Sequence, residues 1–274
     1  MKFLESHIHI GIEKPFSVFH ASDTHITFAD GRDDERKIQL AINRARSFPF
    51  ANENLCLIQS KAVAESKTLI YTGDLIDFVS ELNIEKAKAF INSIDCFMAA
   101  GNHEFSLYVG EAKEDTAYRN KSLKKVQAAF KNDIRMSSRE LNGVLFVALD
   151  NSYYLIDEEQ FKFLKSECEK GLPVILCMHT PLFSKDLYDF SREGESIPAY
   201  LMSVPEELMT DYSPDRYEQQ KQDEITAEAY DYIINSDVIK ALITGHIHKD
   251  YEGSLNRKIQ IATDISTLRE IFID

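Results

Sequence analysis

Short apolar runs alternate along the chain with segments whose apolar residues recur at helical spacing. Runs of about strand length occur at FSVFHA, LIYTG, CFMAAG, VILCM and ALITG, and residues 7–12, HIHIGI, alternate as a half-buried strand would. Between the runs, Ile84, Ala87 and Ile91 fall on one face of a helix, for example. This alternation favours an α/β fold over an all-α or all-β domain.

The same patterns predict further elements around this framework. They indicate helices around residues 38–45, 55–62, 123–130 and 225–232, a hairpin turning at Asn142–Gly143, an Asp157–Gln160 helix cap, and closing strands KIQIA and REIFI. The exception is an irregular connection rich in Tyr, Asp, Glu, Ser and Pro at residues 183–225. We therefore predict one domain over residues 1–274 with an insert at 183–225, which is either a solvated excursion or a lid near the candidate site.

The composition of the chain limits which kinds of partner and which cellular compartment we expect for the protein. The net charge of -14 would repel nucleic acid, so a nucleic-acid polymer is disfavoured as a partner. No apolar run approaches the ~20 residues that span a bilayer, and the first residues lack the apolar core of a signal peptide, so we expect no membrane association and a cytoplasmic protein. The four cysteines show no C-x-x-C spacing and are expected to be buried free thiols.

Five of the apolar runs stop at side chains that bind metals. In open α/β sheets ligands gather beyond the carboxyl ends of the strands, so these side chains should meet at one edge. They are Asp23, His25, Asp74, Asn102, His103, His179, His246 and His248. Oxygen and nitrogen donors of this kind suit divalent Mn, Fe, Zn or Ni, and they are too many for one tetrahedral ion, which indicates two ions. His20 is expected to pack inside, whereas His7 and His9 are expected on an exposed edge strand rather than in a third metal site.

In this order the motifs closely resemble those of the calcineurin-like metallophosphoesterase superfamily. The chain reads DTH at residues 23–25, GDLID at 73–77, GNHE at 101–104, MHTP at 178–181 and GHIH at 245–248. The resemblance implies a four-layer α/β/β/α sandwich with two central mixed sheets. It also implies one metal held by Asp23, His25, Asp74 and His248, and a second held by Asp74, Asn102, His179 and His246.

The resemblance further implies catalytic roles for two residues and supporting roles for two more. Asp74 would bridge both ions with its two carboxylate oxygens, and His103 would stabilise or protonate the leaving oxygen without binding metal. Glu104 and Asp77 would orient loops or imidazoles.

The implied activity is that of a dinuclear-metal-dependent phosphohydrolase. A metal-bridging hydroxide would attack a phosphomonoester or phosphodiester of a small phosphorylated substrate. Phe78 and Val79 follow Asp77, and Ala100 precedes GNHE, where Ser/Thr protein phosphatases carry other residues, so that subgroup is disfavoured. The alternative is a catalytically silent scaffold of the same fold, and the intact ligand set favours the enzyme. The sequence leaves the oligomeric state open.

Overall fold

Two mixed β-sheets form the centre of the molecule in the computed structural model, which describes residues 1–110, 115–193 and 198–274. In chain order the strands are β1 (Lys2–Ile8), β2 (Phe16–Ala21), β3 (Leu69–Tyr71), β4 (Cys96–Met98), β5 (Met136–Leu141), β6 (Val144–Leu149), β7 (Val174–Cys177), β8 (Ile239–Thr244), β9 (Tyr251–Leu255), β10 (Lys258–Ala262) and β11 (Thr267–Ile273). The first sheet has the order β1-β11-β2-β3-β4, and the second has the order β5-β6-β7-β8-β10-β9.

The described residues between the strands also form α-helices. They are α1 (Glu35–Arg44), α2 (Ala51–Glu65), α3 (Glu81–Ser93), α4 (Thr116–Gln127), α5 (Glu158–Cys168), α6 (Lys185–Arg192), α7 (Pro214–Gln220) and α8 (Glu224–Asn235), with 3-10 turns at His103–Phe105 and Glu206–Leu208. Most begin at an Asp or Ser whose side chain accepts a backbone N–H, and the predicted cap at Asp157 is a full capping box with Gln160.

Strand alternation produces the layers. On β6, Leu145 and Val147 pack in a cluster with residues of α5 and α8, while Phe146 and Ala148 pack in a second cluster shared by both sheets. On β3, Leu69 and Tyr71 face residues of α2 and α3, whereas Ile70 belongs to the cluster between the sheets. The predicted four-layer sandwich with two mixed sheets is therefore confirmed.

The parallel strands fix where a site can form. β2, β3 and β4 run parallel to one another, and so do β6, β7, β8 and β10. Their carboxyl ends consequently lie at a shared edge within each sheet.

Some local predictions were wrong. The first strand spans Lys2–Ile8 rather than residues 7–12, because it pairs with β11 and the chain then turns away, with the N–H groups of Ile10 and Gly11 both bonded to the carbonyl of Asp274. His7 and His9 are exposed, as expected. Cys56 is exposed, whereas the other three cysteines are buried and all four are free.

The insert differs from the irregular connection that the sequence indicated. Its described residues include α6 and α7 and form an apolar cluster of their own, which we call the insert cluster: Leu187, Tyr188, Ala199, Leu201, Val204, Met209 and Tyr212. Residues 194–197 of the predicted insert lie outside the described residues. Within the described ranges, every helix is too short or too polar to cross a membrane.

Candidate metal centre

The predicted site residues lie in loops that directly follow strands of both sheets. Asp23 follows β2, Asp74 follows β3, Asn102 follows β4, His179 follows β7 and His246 follows β8. Backbone hydrogen bonds tie these loops together. The N–H of Asp23 donates to the carbonyl of Gly73 at 2.9 Å, and the N–H of Gly245 donates to the carbonyl of His179 at 2.9 Å.

A first group of donors consists of Asp23, His25, Asp74 and His248, whose candidate ligand atoms all lie within 4.8 Å of one another. The Nε2 atoms of His25 and His248 are 3.1 Å apart. Asp23 Oδ1 lies 3.3 Å from His248 Nε2, and Asp74 Oδ2 lies 3.5 Å from His25 Nε2. These are the four residues that the resemblance assigned to one metal.

A second group consists of Asp74, His179 and His246. His179 Nε2 lies 3.2 Å from Asp74 Oδ2 and 3.0 Å from His246 Nδ1. Asn102, the fourth residue that the sequence placed here, lines the same cavity beside Asp74 and His246.

Asp74 belongs to both groups through one oxygen rather than two. Its Oδ2 faces His25 and His179, while its Oδ1 accepts the backbone N–H of His103 at 2.8 Å. The sharing of Asp74 between two ions stays a prediction, and Oδ2 is the oxygen that faces both groups.

The backbone at these residues is held in a sparsely populated conformation. Positive φ angles of 49° to 69° occur at Asp23, His25, Asp74, His246 and His248. Non-glycine residues adopt this region uncommonly, and such strain concentrates at functional sites. At Gly101 the reason for glycine is close approach, because an added Cβ would lie 2.2 Å from Asp74 Oδ1.

Outer partners fix the imidazole rings so that one nitrogen of each points inward. His25 Nδ1 contacts Asp77 Oδ1 at 3.0 Å, and His179 Nδ1 donates to the carbonyl of Thr72 at 2.7 Å. His246 Nε2 contacts the hydroxyl of Tyr154 at 2.8 Å. Partners of this kind orient metal-binding histidines and select the ring nitrogen that faces the ion.

Asp77, His25 and His103 form a third group of possible metal ligands, but both carboxylate oxygens of Asp77 already accept hydrogen bonds. Arg44 donates to both of them, at 2.6 and 2.7 Å. His103 Nδ1 donates to the carbonyl of Asp77 at 2.6 Å. Because a guanidinium neutralises Asp77, this group is better suited to orienting the two imidazoles than to holding a cation.

Glu104 connects two of the loops. Its buried carboxylate accepts the N–H groups of Asp74, Leu75, Ile76 and Gly101 at 2.7 to 3.2 Å. Burial and the nearby charge of Asp74 raise the pKa of Glu104 to about 7. The position of Asp74 is thus fixed from the GNHE loop as well as from its own strand.

The site has a strongly negative local field. Burial lowers the pKa of His103, but the carboxylates of Asp74 and Asp77 outweigh it and raise that pKa to about 10. Burial also opposes protonation of His179, yet Asp74 and Asp23 raise its pKa to about 9. A cluster that draws protons onto buried imidazoles in this way also favours cations.

The chemistry of the donors fits divalent cations. Asp23 Oδ1 is buried and, within the described part of the chain, makes no hydrogen bond, although it faces the nitrogens of His25 and His248. Buried carboxylate oxygens are normally paired or bound to metal. His and Asp donors suit Mn, Fe, Zn or Ni.

Several contributors were not identified from the sequence. Tyr154 on the loop after β6 contacts His246, Arg44 holds Asp77, and the ring of Phe48 stacks on His25 with centroids 4.2 Å apart. The run VLFVAL followed by Asp150 and Asn151 repeats the strand-end pattern, and it could have indicated the Tyr154 loop. The contacts of Arg44 and Phe48 depend on tertiary packing and have no such local signal.

A search with family models adds an independent observation. The model of the calcineurin-like phosphoesterase family matches residues 16–250. The chain belongs to the calcineurin-like phosphoesterase family. The match includes every motif from DTH to GHIH. No sequence among the curated proteins matches the chain.

Solved structures share this fold at low sequence identity. A dimetal phosphatase from Danio rerio is 12% identical with a TM-score of 0.52, and the match covers 91% of this chain and 87% of that one. Purple acid phosphatase PPD1 from yellow lupin (Lupinus luteus) seeds is 14% identical with a TM-score of 0.51, over 92% and 44% of the two chains. Some matched structures are about twice as long, since the chain spans 49% of a Staphylococcus aureus structure that is 15% identical with a TM-score of 0.45.

Proposed function

We propose that the protein is a phosphohydrolase dependent on two divalent cations, acting on a phosphoester of a small molecule. The observation that carries the proposal is the pair of donor groups sharing Asp74 Oδ2 at the wall of a cavity of about 470 Å³. A cavity of this size suits a small metabolite. The family membership supports the same reaction class.

Each group of ligands has a separate role in the proposal. Asp23, His25, Asp74 and His248 would hold one cation, and Asp74, Asn102, His179 and His246 would hold the other. When bound, the cations would supply the positive charge that orients a phosphoryl group and would acidify a water near neutral pH. Outer partners hold the rings of His25, His179 and His246, and hydrogen bonds to Glu104 and from the N–H of His103 hold Asp74.

His103 is the proposed proton donor. It lines the cavity, and its Nδ1 donates to the carbonyl of Asp77 at 2.6 Å. Nε2 is therefore left to donate to the leaving oxygen as the P–O bond breaks, while the oxygen of water becomes bonded to phosphorus.

Replacing the shared carboxylate tests this function. In Asp74→Asn we expect kcat on p-nitrophenyl phosphate and its diester analogue to fall roughly 10³-fold, because the neutral amide weakens the charge stabilisation of the transition state. Bound manganese, measured by mass spectrometry, should also fall. The control is Asp189→Asn, which removes an exposed carboxylate paired with Lys185.

The result also separates the enzyme from a binding scaffold. Equal turnover in the wild type and Asp74→Asn, or none in either with Mn, Fe, Zn or Ni, would contradict the hydrolase and favour the scaffold.

A further inference from the structure

The insert supplies one wall of the cavity beside the proposed metal site. The lining residues include Ser191, Pro198, Tyr200 and Arg216 from the insert, opposite Asn102, His103 and His246 from the strand-end loops. None of these insert residues belongs to a family motif.

Contacts with the GHIH loop hold the insert wall of the cavity in position. The partly buried Ile247, which lies between His246 and His248, packs against the insert cluster. Lys249 Nζ donates to the carbonyl of Ser191 at 3.0 Å, which joins the end of α6 to the GHIH loop. The insert residues that face the cavity are thus held at a defined position relative to the metal-binding loop.

Arg216 places a guanidinium in this wall. Its guanidinium lies 4.9 Å from the ring centroid of Tyr200, and it donates to Gln219 Oε1. In the described part of the chain no carboxylate lies within 4.0 Å of it, although the chain carries 45 acidic residues and Arg192, nearby on α6, is paired with Asp211. An arginine held against an aromatic ring inside a cavity is suited to binding a carboxylate or phosphate.

One aromatic ring lies between this cation and the strand-end loops that carry the two donor groups, which we call the metal edge. The ring of Tyr200 meets the ring of His246 edge-on, with centroids 5.9 Å apart and an interplanar angle of 88°. Arg216 lies over the same Tyr200 ring. The guanidinium therefore lies within about 11 Å of the centroid of the His246 ring, a separation that an aryl ring carrying an anionic group at each end is suited to span.

We propose that Arg216, supported by Tyr200, is a specificity residue that selects phosphoesters whose leaving group carries a second anionic group. The inference rests on the proposed function, because it places the scissile phosphoryl group at the paired metal groups. The second anion is a carboxylate or a further phosphate, since arginine recognises both.

A matched pair of substrates tests the selectivity with the manganese-loaded protein. The pair is 4-carboxyphenyl phosphate and its neutral methyl ester, which differ by one charge at the far end of the ring. We expect kcat/KM to be roughly tenfold higher for the carboxylate in the wild type. In Arg216→Gln the ratio should fall to about one, and in Arg216→Lys it should be intermediate because the planar fork is lost.

The control variant is Arg257→Gln. Arg257 lies just before β10, which runs parallel to β8, and so at the end of the sheet opposite His246. It should keep the wild-type ratio. Melting temperatures of all variants establish that they are folded, and a ratio unchanged in a folded Arg216→Gln would overturn the proposal.

Binding measurements separate this proposal from the function itself. Calorimetry with two phosphonates that cannot be hydrolysed, 4-carboxybenzylphosphonate and benzylphosphonate, should show the same preference and the same dependence on Arg216. If neither ester is hydrolysed but the phosphonate preference holds, the hydrolase proposal fails and the anion site stands. If both esters are hydrolysed equally well, the hydrolase stands and the anion site fails.

Discussion

The metal edge and the insert wall face the same cavity but are built in different ways. At the metal edge, buried polar side chains sit on strained backbone, and neighbouring loops hold one another through hydrogen bonds. The insert wall depends on an apolar cluster, with its polar groups at the cavity surface. The contrast indicates that the proposed reaction chemistry and the proposed substrate selection rest on separate physical supports.

The two regions meet at the GHIH loop and at the loop after β7, where the N–H of Met202 in the insert donates to the carbonyl of Pro181 at 2.9 Å. Ile247 packs with the insert cluster, while His246 and His248 on either side of it turn toward the donor groups. Substitutions in the metal edge and substitutions in the insert wall should therefore have distinct effects, as long as the loops that join the two regions keep their positions.

The largest effect, a loss of kcat, is expected from His103→Gln at the metal edge. Loss of the proposed proton donor should lower kcat roughly 10³-fold for an alkyl phosphate, and less for p-nitrophenyl phosphate, whose leaving oxygen needs little protonation. Bound manganese should stay at the wild-type level because His103 is not a proposed ligand. An equal loss for both substrates, or a loss of metal, would contradict the assigned role.

An effect of intermediate size, on stability and on KM, is expected from Leu201→Ala in the insert wall. Leu201 is fully buried in the insert cluster, so the cavity left by the substitution should lower the free energy of unfolding by about 3 kcal/mol. KM should rise while bound manganese is unchanged. The matched control, Leu57→Ala on α2, removes a leucine that is 48% exposed and should cost less than about 1 kcal/mol.

The effect that is smallest at neutral pH concerns His20, which lies beneath the metal edge. Its ring contacts the hydroxyls of Thr72 and Thr263 at 2.8 Å, and burial together with Arg269 lowers its pKa from 6.5 to about 3. As pH falls from about 6.5 toward 3, the imidazole of His20 becomes protonated in the unfolded chain but stays neutral in the folded protein. Stability should therefore fall by up to about 1.4 kcal/mol per pH unit.

Urea unfolding in the presence of a chelator, from neutral pH downward, measures that slope. His20→Gln, whose amide can bond both threonines, should show a shallower slope over this range. His7→Gln on the exposed edge strand should retain the wild-type slope, and an identical slope in all three proteins would rule out the role of His20.

Local patterns predicted an α/β fold and placed the site residues at the ends of strands, whereas the four-layer arrangement was implied only by the resemblance to the family. Strand-end motifs such as DTH and GHIH carry their side chains to a shared edge once the sheets form. Arg44 could not be found in this way, because it reaches Asp77 from a helix 33 residues earlier. Arg216 likewise gained its significance only from the packing of α7 against the cavity.

The four hydrogen bonds that Glu104 accepts from backbone N–H groups affect the free energy with which cations would bind. Since the loops after β3 and β4 are fastened to one carboxylate, the distance between their donors is set before any ion arrives. Metal uptake would then require little ordering of the backbone, so most of its binding free energy would be retained as affinity rather than consumed by folding of the site.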